Sequence, residues 1–156
     1  MGTHQDLPST VVRARGKRPR RPAPVSRVVS LHRAAEVAPL LDKVVATLAA
    51  LGYPAHDCHG VRLALEEAIV NGLRHGNRGD PAKRVRVGYR VRPDVLLAFV
   101  EDEGPGFDSE GVPDPTLPEN LDRPGGRGLL LMRHYMTWVC FPKPGNRVLL
   151  AKRRSR

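Results

Sequence analysis

The sequence is poor in aromatic side chains. Phe, Tyr and Trp make up 4% of its 156 residues, and a platform that stacks the bases of single-stranded nucleic acid needs more of them. Cysteine is scarce as well. Cys58 and Cys140 supply neither a disulfide framework nor a metal-ligand spacing. No apolar run approaches the ~20 residues of a transmembrane helix, and no apolar stretch near the N-terminus reads as a secretion signal. The expectation is a cytoplasmic protein with no membrane segment. Acidic residues are the minority, 16 against 26 Lys and Arg, for a net charge of +10. The surplus is confined to the ends: residues 1–24 carry +5, residues 152–156 carry +4, and the 127 residues between them carry +1. A nucleic-acid-binding fold shows a basic face. Here nucleic acid is expected to be met only through the basic tails.

The length suits one domain. Residues 1–24 hold Arg13, Arg15, Lys17, Arg18, Arg20 and Arg21 among four prolines, with little to bury, and read as a disordered basic extension. A solvated tail is favoured there over an electrostatic tether. The folded body is expected over 25–153, with 154–156 as a basic C-terminal tail. Within the body, Arg27 to His32 alternates like a strand. Glu36 to Leu51 carries Val37, Leu40, Leu41, Val44, Val45 and Leu48 at helical spacing, with Gly52 as its stop. Asp57 is placed to cap a second helix running to about His75. Lys83 to Arg92 predicts a strand with one wet face, and Val95 to Val100 a more deeply buried one. Residues 103–125 hold five prolines and four glycines and predict a long loop, a feature that is functional or mobile in compact domains. A third helix is expected over Gly128–Met136, and closing strands over Thr137–Phe141 and Arg147–Ala151. This order predicts a two-layer α/β sandwich.

Three places carry chemistry. The second helix is apolar around most of its circumference, yet Glu67, Asn71 and His75 recur at i, i+4 and i+8, so they share one stripe. A carboxylate and a carboxamide on a mostly buried helix are costly unless paired or facing a cavity. Such a stripe suits a hydrated Mg²⁺, which prefers oxygen ligands and keeps several waters; an ordinary surface stripe is an equal alternative. Glu66 points about 100° away and reads as a surface acid. Next, a buried strand ends at Asp102 and runs into Gly104-Pro-Gly106. A carboxylate there can accept a hydrogen bond from an amino group such as adenine's, and it selects against guanine's carbonyl. Alone, the same residues also describe an acidic turn. Last, Gly125-Gly126-Arg127-Gly128-Leu129 opens a helix whose N-terminus favours anions, with Arg127 as a phosphate donor.

The order of these three places resembles the ATPases of the GHKL, or Bergerat-fold, family shared by histidine kinases and DNA gyrase. Within that family the chain is most similar to the small bacterial anti-sigma factor serine-protein kinases. The run Leu65-Glu-Glu67-Ala-Ile-Val-Asn71-Gly-Leu-Arg-His75-Gly-Asn77 looks like the family's N box. The resemblance implies a mostly antiparallel mixed sheet with helices on one face and an ATP lid over residues 107–124. It implies Glu67 as general base, Asn71 as the Mg²⁺ ligand with His75 beside the nucleotide, and Asp102 as acceptor of the adenine amino group. Gly104 and Gly106 would shape the adenine pocket, and Gly126, Arg127, Gly128 and Leu129 would hold phosphates. The partners it implies are a STAS-type anti-sigma antagonist, a sigma factor and a second copy in a homodimer. A nucleotide-binding partner switch without kinase activity fits the same residues. The chain departs from the family pattern at Gly145-Asn146, where Gly-Thr is common, and at Pro124-Gly125, where a polar pair is expected.

Overall fold

The computed structural model describes residues 25–112, 116–117, 119 and 127–156. The expected N-terminal extension, Gly126 and much of the expected lid lie outside the described residues. The chain runs β1 (Val25–Leu31), α1 (Val37–Ala50), α2 (Ala55–Asn71), β2 (Val85–Val91), β3 (Val95–Glu101), α3 (Arg127–Tyr135), β4 (Trp138–Cys140) and β5 (Arg147–Arg153). The strands form one sheet in the order β1-β2-β3-β5-β4. Each of its pairings is antiparallel, so among the described residues the expected mixed sheet has no parallel component.

α1 begins where Glu36 closes a short turn, its carboxylate accepting the backbone N–H groups of His32 and Arg33 at 2.7 and 2.8 Å. It ends at Leu51, and Gly52 leaves the helix at φ +81°, the left-handed conformation that glycine adopts without steric cost. The core lies between the helices and one sheet face. Leu41, Val44 and Leu48 of α1 and Val61, Leu65 and Ile69 of α2 meet Val85, Val87 and Val91 of β2, Leu96 of β3 and Leu150 of β5. The opposite sheet face has no second layer among the described residues, and Val28, Leu97 and Trp138 stand exposed on it. β3, expected as the more deeply buried strand, therefore alternates instead and is less buried than β2, with Leu96, Ala98 and Val100 inside and Leu97 outside.

Asp57 does not cap α2. Pro54 occupies the cap position, and Asp57 sits fully buried in the first turn. It accepts the Ser155 N–H at 2.7 Å and the Ser155 hydroxyl at 2.9 Å, and it pairs with Lys152 Nζ at 3.0 Å. Burial pushes its pKa up, but the bonds from Ser155 and Lys152 outweigh burial and hold it below the ordinary aspartate value. The segment expected as a C-terminal tail is thereby drawn onto the body: Arg154 also donates to the Leu51 carbonyl at 3.2 Å.

Candidate functional site

α2 stops being an α-helix at Asn71. Gly72–Gly76 forms a π-turn, marked by the bond from Asn77 N–H to the Gly72 carbonyl at 2.8 Å. The helix expected to reach His75 is thus widened in its last turn, a local irregularity often found at functional sites. Beyond it Arg78 takes φ +54°, a left-handed conformation uncommon for a residue with a side chain. The wider turn reverses the angular drift between residues four apart, so Glu67, Asn71 and His75 all border the same hollow. Glu66 is exposed, as its place on the helix predicts.

That hollow is a cavity of about 670 Å³ between α2, the π-turn, the end of β3, the first turn of α3 and the turn before β5. Glu67, Asn71, His75, Asp102, Gly106, Arg127, Gly128 and Leu129 line it. Gly104 does not line it and acts one layer back: a methyl group on its Cα would run into the backbone of Gly76. Gly76 in turn lies flat against the Asp102 carboxylate, and Gly128 against the Glu67 carboxylate, each leaving no room for a Cβ. These glycines bring the acids of α2 and β3 against neighbouring backbone. Gly106, at φ +82°, lies against the Pro144 carbonyl, and Gly145, at φ +93°, against the Phe107 carbonyl, neither leaving room for a Cβ. Phe107 and Phe141 meet edge to face there, with ring centroids 5.2 Å apart.

Asp102 lies just past the end of β3. Its Oδ1 accepts the Gly104 N–H at 2.7 Å. Burial raises its pKa above the ordinary value, and Glu101 adds to the rise; the Gly104 bond and the Lys83 charge offset it only in part. Among the described residues no ion pair holds it. Asn146, the departure from the family pattern, is a wall residue of the cavity. Its carbonyl accepts the Asp102 N–H and its side-chain Nδ2 donates to the Asp102 carbonyl, both at 2.9 Å. The sequence reading missed Arg78, Phe107 and Phe141 as cavity residues and noted Asn146 only as a departure from the family pattern. The one signal in the sequence is a glycine beside three of the four, Gly79 next to Arg78, Gly106 next to Phe107 and Gly145 next to Asn146. Among the described residues no cluster of three or more His, Cys, Asp or Glu side chains could hold a metal ion alone, and no helix is long and apolar enough to cross a membrane.

The histidine kinase-like ATPase domain model matches residues 31–152, a stretch that contains every wall of the cavity. The chain belongs to the histidine kinase-like ATPase family. This ATPase domain is similar to proteins named serine-protein kinase RsbW. It is 33% identical to the one from Bacillus licheniformis over 96 residues, 57% of this chain and 59% of that protein. It is 31% identical to the one from Listeria monocytogenes over 98 residues, 59% of this chain and 61% of that protein. Against the Oceanobacillus iheyensis protein the figure is 25% over 92 residues, 55% and 58% of the two chains. The matched stretch spans about three-fifths of each of these relatives.

Proposed function

We propose that this chain binds ATP in the cavity and transfers its γ-phosphoryl group to a serine of a partner protein. The observation that carries the proposal is the convergence of Glu67, Asn71, Asp102 and Gly128, from three separated stretches of chain, on one hollow. Asp102, a half-buried acceptor with no ion pair among the described residues, receives the adenine amino group. Gly106, Gly145 and the edge-to-face Phe107–Phe141 pair form an apolar boundary for the base. The first turn of α3, with Arg127 and the Gly128 N–H, faces the phosphates, where a helix N-terminus favours anions.

The residues fit Mg²⁺ only in company with phosphates. Asn71 offers one carboxamide oxygen, which suits an ion that keeps most of its waters and takes its other ligands from a nucleotide. When bound there, the ion supplies positive charge that offsets the charge developing in phosphoryl transfer. Glu67 accepts the proton of the seryl hydroxyl. A bond forms from the serine oxygen to the γ-phosphorus, the bond from that phosphorus to the β–γ bridging oxygen breaks, and ADP leaves. The partner in this reading is a STAS-type anti-sigma antagonist, whose new phosphate adds charge and weakens docking; the same face, vacated, holds a sigma factor. Glu67→Gln is the direct test. It keeps ATP binding and abolishes transfer of labelled γ-phosphate to a STAS partner. Unchanged transfer would reject Glu67 as the base, and ATP binding without transfer by the unaltered protein would reduce the function to nucleotide-dependent partner binding.

A further inference from the structure

The peptide unit joining Asp102 to Glu103 is held at both of its polar atoms. Its carbonyl accepts Asn146 Nδ2 at 2.9 Å, and its N–H donates to Asn77 Oδ1 at 2.8 Å. The two asparagines come from different parts of the chain, one from the end of the π-turn and one from the turn before β5. A third bond, from the Asp102 N–H to the Asn146 carbonyl at 2.9 Å, fixes the unit before it. Left alone, this stretch has ended its strand and runs into Gly104 and Gly106, where the backbone has wide freedom.

Asn77 is 1% exposed. With Oδ1 committed to Glu103, its Nδ2 is a buried donor with no partner among the described residues. A side chain that only filled space there would do better without such an orphan, because an unsatisfied buried donor is costly while an apolar isostere is not. The bond to Glu103 is therefore the reason for an amide at this position. Rotation of the 102–103 peptide would also swing the Gly104 N–H that holds Asp102 Oδ1, and with it the carboxylate.

We propose that Asn77 and Asn146 are positioning residues that set how strictly the cavity reads the 6-amino group of a purine, by pinning the 102–103 peptide plane on which the Asp102 carboxylate is mounted. The inference rests on the reading of Asp102 as the adenine acceptor and adds residues to it. The test is a calorimetric comparison of ATP with purine riboside triphosphate, which lacks the 6-amino group, on the unaltered full chain, N146A and N77A. The unaltered chain should prefer ATP by about tenfold or more, the worth of a hydrogen bond to a charged acceptor. Both variants should narrow that preference to about threefold or less, and N77A, which lies outside the cavity lining, should bind the amino-less analogue nearly as well as before. A general loss of structure would instead lower both affinities together. Full ATP preference in the variants would overturn the proposal and leave the ATP-binding reading standing. An unaltered chain that binds ATP without preferring it would sink the reading of Asp102 and this inference together. Hydrogen exchange in the unaltered chain provides a check that needs no folded variant. The Glu103 amide should exchange as slowly as that of Val100 inside β3, and exchange at the rate of an unstructured peptide would overturn the pinning.

Discussion

Two aspartates sit against α2 and its extension, and the chain treats them oppositely. Asp57, in the first turn, is sealed from solvent and surrounded by donors: Lys152 and both polar groups of Ser155. Its pKa falls. Asp102, against the π-turn at the other end, has one backbone donor on its carboxylate and no ion pair among the described residues, and its pKa rises. Burial alone pushes both in the same direction; the partners decide the sign. The contrast teaches how to tell a carboxylate that holds a fold together from one kept available for a ligand. Asp57 has its donors supplied by the chain, whereas Asp102 is braced through its main chain by Asn146 and keeps acceptor capacity facing a cavity.

The largest effect should come from breaking the satisfied end. Asp57→Asn leaves Lys152, whose side chain is 16% exposed, without its counter-charge, and removing one partner of a buried pair costs about 3 kcal/mol or more. Urea denaturation should show that loss, while ATP affinity of the folded fraction stays unchanged. At the other end, Asp102→Asn should leave stability nearly intact and weaken ATP by about 2 kcal/mol, the worth of a hydrogen bond to a charged group; calorimetry reads this directly. Gly76→Ala joins the two properties. Its methyl would press on the Asp102 carboxylate, so overpacking should cost about 1–3 kcal/mol of stability and displace the acceptor, with ATP affinity falling alongside.

The smallest effect is in the pH dependence, and its sign separates the two acids. Asp57, with a lowered folded pKa, contributes stability that is present above its unfolded value and is lost as pH falls through the folded one. Asp102, with a raised folded pKa, contributes stability at low pH that is lost as pH rises through the folded value. Denaturation curves between about pH 3 and 6 should therefore flatten on the acid side in Asp57→Asn. In Asp102→Asn the decline of that contribution with rising pH should disappear.

Much of the fold was legible because it is local. The spacing from Val37 to Leu48 defines α1, and Gly52 ends it, without reference to any distant residue. The three stretches that meet in the cavity were legible from their order along the chain. Asp57 was misread because a carboxylate near a helix start looks like a cap, and the residue that explains it, Ser155, lies 98 positions away. Asn146 is likewise explained by a partner 44 positions distant, and Asn77 by one 26 away. The π-turn leaves no mark in hydrophobic periodicity, since it changes one turn only. The strand Val95–Val100 reads as the more deeply buried one because an apolar strand does not disclose that one of its faces, where Leu97 stands exposed, lacks a covering layer.

The most direct measurement is a calorimetric titration of Mg·ATP into the unaltered chain and into Asp102→Asn, both shown to be folded by the same thermal scan. The account predicts saturable binding to the unaltered chain and about tenfold or greater weakening in the variant. Equal affinities in the two, or no binding to the unaltered chain, would contradict it.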